Sequence, residues 1–170
     1  DADHAGGITD FLNATIHISA EEYNEAMNPS TRMAKLRYSK WLSKVANKWE
    51  RYEWNSKWFG FNSVDSLRGV KADIRLIDLK GHTNGHAGIS VRAAGNWLLH
   101  AGDSYFYFKE MNIDNPRCTA GLEALQRFDA FHGEKRLETA SLLRQLKREQ
   151  GSQVEIFCAH DPIEFERFSL

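Results

Sequence analysis

Cysteine is scarce in this sequence: two residues among 170, Cys118 and Cys158, with no C-x-x-C pair. That excludes a disulfide scaffold as the source of stability and fits a reducing compartment. Cys158 lies in an apolar run (Val154 to Ala159) and is expected to be a small core residue. Charge of one sign is lacking too, since 22 Lys and Arg face 23 Asp and Glu for a net charge of -1. There is then no basic field to hold nucleic acid. No apolar run reaches the roughly 20 residues of a membrane-spanning helix. Internal repeats, low-complexity stretches and linkers are also missing. The expected partner is a small-molecule substrate, with no nucleic acid and no membrane; a dimer stays open. A cytoplasmic location is favoured. The chain starts at Asp1 without Met or a signal-peptide pattern. It is expected to be the larger, C-terminal part of its domain, and a signal segment ahead of it stays open.

What is present reads as a globular chain of 42% hydrophobic and 26% charged residues, long enough for one domain with a real core. Ala14 to Ser19 alternates as a short strand. Ser19-Ala-Glu-Glu22 is a capping box that opens a helix to about Met27, and Pro29 and Ser30 break it. A second helical pattern spans Thr31 to about Asn47. Six aromatics then crowd together: Trp49, Tyr52, Trp54, Trp58, Phe59 and Phe61. This stretch shows little strand alternation and reads as helix end and loop. The span 31–62 is either core cover or an inserted wall over a substrate pocket. Strands are expected at Ala72 to Leu79, Ala87 to Ala93 and Asn96 to Ala101. Helices follow at Ala120 to Phe131 and Glu134 to Gln150, and a last strand spans Gln153 to Ala159. This order predicts a mixed α/β layered domain over 1–170.

Four short segments put His or Asp into sharp or glycine-containing turns, mostly at strand ends. They are Asp1-Ala-Asp-His4-Ala-Gly-Gly7, Gly81-His-Thr-Asn-Gly-His86, His100-Ala-Gly-Asp103 and Cys158-Ala-His160-Asp161. Strand ends of layered α/β folds are where ligands bind. Imidazole and carboxylate are the donor set for zinc, iron or manganese. A lone histidine in a turn carries little weight; four such segments in order carry much more.

These segments resemble the signature of metallo-β-lactamase-fold hydrolases. Asp3-His4-Ala-Gly-Gly looks like the D-H-x-G-G end of H-x-H-x-D-H, and Gly81-His82-Thr83 like the family's G-H-T turn. Gly102-Asp103-Ser104 looks like its G-D-[ST] segment, and Cys158-Ala-His160-Asp161 like its late strand-end histidine. The resemblance implies an αββα sandwich, without its N-terminal strands in this chain, and a two-metal centre at one edge of its sheets. It assigns His82 to the first metal, Asp3, His4 and His160 to the second, and Asp103 to a bridge between them. Zinc is the favoured metal, with iron or manganese open. The sequence departs from the pattern at Asp1, which stands where the second histidine of the signature belongs. Asp1 is expected to ligate the first metal or to act beside it, and an aspartate there suits harder metals. His86 is expected behind the ligands rather than among them, and His100 as a structural residue.

The implied activity is hydrolysis by a hydroxide held between two metals, with a metal stabilising the oxyanion. Asp3 is placed to orient the nucleophile or return a proton. Tyr105 and Tyr107 are either oxyanion donors or packing residues. The aromatic stretch and the absence of a basic cluster favour a carbonyl ester, a lactone such as an acyl-homoserine lactone within that class. β-Lactams, thioesters and phosphodiesters stay open as substrates of the same fold, as does a non-catalytic metal- or ligand-binding relative.

Overall fold

The structure is a computed structural model that describes residues 2–38 and 48–168. It divides into two compact units, Asp1–Glu53 and Trp54–Leu170. In the first unit, helix α1 (Ala2–Ala5) runs into a 3-10 turn over Gly6–Asp10. Strand β1 (Thr15–Ser19) leads into α2 (Ala20–Met27), and Ser19 Oγ caps it by accepting from the Glu22 N–H at 3.1 Å, as the capping box predicts. Helix α3 (Arg32–Arg37) is capped by Thr31, and Tyr38 is already extended. The expected helix therefore stops early within the described part, and the remainder, 39–47, lies outside the described residues. Strand β2 (Lys48–Tyr52) pairs parallel with β1, Thr15 opposite Lys48 and Ser19 opposite Tyr52.

The second unit is a six-stranded sheet with sequential order β3-β4-β5-β6-β7-β8. Its strands are β3 (Ser56–Trp58), β4 (Phe61–Val64), β5 (Ile74–Asp78), β6 (Ala87–Ala93), β7 (Asn96–His100) and β8 (Val154–Phe157). The aromatic stretch is thus mostly strand rather than helix end and loop, with Trp54 between strands and Phe59 in a turn. Its aromatics suit a pleated, half-buried surface. Phe59 and Gly60 both take positive φ (44° and 90°) between the facing residues Trp58 and Phe61. That is a two-residue hairpin turn whose twist matches the strands. Phe-Gly is an unusual pair for such a turn, which hides the hairpin in the sequence. Trp58 and Phe61 belong to the core.

Helices α4 (Ala120–Asp129) and α5 (Gly133–Gln150) precede β8, and α6 (Pro162–Glu166) follows it. The buried residues of α5 (Arg136, Thr139, Ala140, Leu143 and Leu146) recur at helical spacing on one face. Trp97 and Leu99 of β7 stand opposite Val154 and Ile156 of β8 and share a core cluster with Leu143 and Leu146. Burying one such leucine contributes about 1.5–3 kcal/mol. Cys158 is also in this cluster, 3% exposed, where its sequence context places it. Among the described residues no helix is long and apolar enough to cross a membrane.

Candidate metal centre

Strand direction decides where the expected ligands fall. β5 and β6 are antiparallel, β6 and β7 are antiparallel, and β7 and β8 are parallel. The chain therefore leaves β5, β7 and β8 at one edge of the sheet and enters β6 there. The segments bearing His82, Asp103 and His160 are those exits, and His86 immediately precedes the β6 entrance. Backbone bonds hold the exits together: Ala101 N–H donates to Phe157 O at 2.7 Å and Ala159 N–H to Gly102 O at 3.1 Å. The His82 turn is held from the other side, where Phe131 N–H donates to His82 O and His132 N–H to Gly81 O, both at 3.0 Å.

Asp103 and His82 are each 3% exposed, whereas His160 opens to solvent with 42% of its side chain. His82 Nε2 lies 3.2 Å from Asp103 Oδ2, and His160 Nε2 lies 3.1 Å from Asp103 Oδ1. Each carboxylate oxygen thus faces a different imidazole. Two donors on one zinc, with bonds of about 2.0–2.1 Å and angles of roughly 90–110°, sit about 2.9–3.4 Å apart. Both separations fall in that range, so the three side chains fit a carboxylate shared between two cations. Asp3 and His4 lie on α1 in the first unit, His4 Nε2 3.5 Å from Asp3 Oδ2, with the Asp3 side chain 59% exposed. Asp1 lies outside the described residues.

Around these side chains stand groups that the motifs do not announce. Asp129 Oδ2 is 3.5 Å from His82 Nδ1, so His82 lies between two carboxylates, the usual surroundings of an imidazole that binds a cation through its other nitrogen. The Phe106 ring packs edge-on to both imidazoles, 6.3 Å from His82 and 5.2 Å from His160. It makes an apolar wall beside the carboxylate. His86 has both ring nitrogens engaged, Nδ1 with Leu79 O at 2.8 Å and Nε2 with the Asp103 N–H at 3.1 Å.

Tyr105 requires a correction. It is 0% exposed, and its hydroxyl donates to Glu164 Oε2 at 2.7 Å. Burial and then the neighbouring Glu164 carboxylate push its pKa far above the ordinary tyrosine value. A hydroxyl so committed does not reach an oxyanion, and the packing alternative for Tyr105 holds. Helix α6 also escaped the sequence reading, although its signal was there. Asp161 caps it by accepting from Ile163 N–H and Glu164 N–H, and Pro162 fills the first turn.

The sequence model of the metallo-beta-lactamase superfamily matches residues 1–151. The chain belongs to that superfamily. Two curated mycobacterial relatives, "Probable metallo-hydrolase Rv2300c" of Mycobacterium tuberculosis and "Probable metallo-hydrolase Mb2322c" of Mycobacterium bovis, are each 29% identical over 163 residues. The match takes in 95% of this chain and 52% of each relative, so the chain spans about half their length. Among solved structures, an N-acyl homoserine lactone hydrolase with N-hexanoyl-L-homoserine at its catalytic metal centre matches with a TM-score of 0.66 and 18% identity. It covers 98% of this chain and 54% of that one. A variant of Bacillus thuringiensis AiiA with N-decanoyl-L-homoserine at its active site matches with the same TM-score, identity and coverage. At this identity the likeness speaks for the fold. The α/β fold of the metallo-β-lactamase type, expected from the sequence motifs, is borne out.

Proposed function

We propose that the protein is a metal-dependent hydrolase of a carbonyl ester-type substrate, a lactone such as an acyl-homoserine lactone being the favoured member of that class. The observation that carries the reading is Asp103, a buried carboxylate whose two oxygens each face one imidazole at 3.1–3.2 Å. His82, Asp103 and His160 would hold divalent metal, and the family resemblance adds Asp1, Asp3 and His4 to the ligand set of a two-metal centre. Zinc is the favoured metal. Bound there, the cations would polarise a carbonyl and make water acidic enough to attack it near neutral pH. The residues of the chain then have distinct tasks. Asp103 fixes the spacing of the two imidazoles, and Phe106 keeps one side of the site apolar. The family resemblance gives Asp3 the task of orienting the nucleophile or returning a proton to the leaving group.

Support for a neutral carbonyl substrate comes from Phe106 at the site and from a chain charge of -1. A polyphosphate or nucleic acid would call for clustered cations. Hydrolysis by the zinc-loaded protein, set against lactones, thioesters, β-lactams and phosphodiesters, tests the reading. Turnover of lactones above the other classes, lost on chelation, is the expected result. Preference for phosphodiesters would overturn the substrate class, and no turnover by a protein with its metals in place would leave a binding relative.

A further inference from the structure

Glu164 is 3% exposed on α6, and one of its oxygens accepts two hydrogen bonds. Tyr105 hydroxyl donates to Oε2 at 2.7 Å, and Cys158 N–H donates to the same atom at 2.9 Å. Tyr105 stands two residues after Asp103, and Cys158 two residues before His160. A single buried oxygen therefore ties the segment carrying the shared carboxylate to the segment carrying the late imidazole. Its partner oxygen Oε1 lies 3.5 Å from Arg167 Nη2, and that same nitrogen donates to Ile156 O at 3.2 Å. The helix under Glu164 is anchored in turn, because Asp161 Oδ2 accepts from Phe108 N–H at 2.7 Å while Oδ1 caps α6.

We infer that Glu164 is a positioning residue that sets the separation of Asp103 and His160, acting through Tyr105 and the Cys158 peptide. The inference rests on the reading that these two side chains hold divalent cations. Hydrogen bonds to a carboxylate as deeply buried as Glu164 are short and stiff. Metal ligation tolerates only a few tenths of an ångström of error, so the tie matters most for cation affinity. Groups that orient ligands from behind typically change metal affinity 10- to 100-fold when removed.

The test uses cobalt(II) alone as the probe, titrated against a competing chelator, with melting of the metal-free protein measured beside it. Glu164→Gln keeps an oxygen that accepts both bonds and is expected to bind within about threefold of the parent. Glu164→Leu and Tyr105→Phe are expected to bind roughly 10- to 100-fold more weakly and to shift the cobalt absorption bands. If both bind as tightly as the parent with unshifted bands, however much less stable they are, the tie is structural only and the inference is overturned. Should Glu164→Leu fail to fold, Tyr105→Phe decides alone. A parent protein that binds no cobalt overturns the metal reading, and the inference with it. That failure is seen in the parent titration, the other only in the variants.

Discussion

The backbone N–H of Asp103 donates to His86 Nε2 at 3.1 Å, and this one bond determines the form of the His86 ring. Nε2 must be unprotonated to accept it. The proton then sits on Nδ1, which donates to Leu79 O at 2.8 Å. With both nitrogens spent, His86 does not ligate; it holds the peptide of Asp103. Replacing it by alanine strands a donor in a buried turn, at a cost of about 1–3 kcal/mol. Urea unfolding of His86→Ala is expected to show a midpoint lowered accordingly. An unchanged midpoint would mean that the bond contributes nothing.

Gly102 is required by the same contact. Its φ is +55°, and a β-carbon there would lie 2.7 Å from His86 Nε2. Gly95, at φ +89°, has open space around it. Gly102→Ala is expected to cost about 1–3 kcal/mol from backbone strain, plus the displacement of His86. Gly95→Ala pays only for its backbone. Thermal melts of both variants should place Gly102→Ala clearly below Gly95→Ala, and the reverse order would show that His86 yields without cost.

Behind Phe106 lies a second buried network. Glu110 Oε1 accepts from Phe106 N–H and Tyr107 N–H at 3.1 Å and from Gln126 Nε2 at 3.0 Å. Arg136 Nη1 donates to Gln126 Oε1 at 2.8 Å and lies 3.9 Å from Glu110 Oε2. Removing the carboxylate leaves these donors and a buried guanidinium behind. Glu110→Ala is expected to lose about 3–5 kcal/mol. A loss below 1 kcal/mol, by the same denaturation measurement, would show that water replaces the carboxylate.

The two thiols are held in the unreactive form. Burial, followed by the nearby Glu110, pushes Cys118 up to about 11, and burial pushes Cys158 up to about 12. Only the thiolate attacks an alkylating agent. Labelling of the native protein at pH 8 is therefore expected to run roughly two orders of magnitude slower than for a free cysteine. The Cys118 rate should rise about tenfold per pH unit until near its pKa. Mass spectrometry after iodoacetamide treatment across pH 7–10 checks this, and rapid labelling at neutral pH would contradict it.

Strands β5 to β8 and both long helices are legible in the sequence because their signals are local. Ala87–Ala93 is bounded by turn residues, and α5 repeats its apolar positions at helical spacing. The hairpin at Phe59 and Gly60 was hidden because Phe supplies a positive φ where Asn or Asp is usual. For the site, His82, Asp103 and His160 are visible as polar residues at strand exits, and the parallel run of β5, β7 and β8 brings them to one edge. Glu164, Glu110 and Asp129 were not visible. Each is an acidic residue on a helix or 3-10 turn, indistinguishable in sequence from a solvated one until the chain folds over it. Tyr105 misled for the converse reason: its place beside Asp103 says nothing of which way the hydroxyl points.

The central claim is that His82, Asp103 and His160 hold divalent cations, and metal content per chain tests it most directly. The protein, loaded with zinc and freed of excess, is measured beside His82→Ala and His160→Ala, with circular dichroism showing that all three are folded. Close to two zinc ions per chain in the parent, with fewer in both variants, is the predicted result. A folded parent with no bound zinc, or variants that retain the parent's content, would contradict the account.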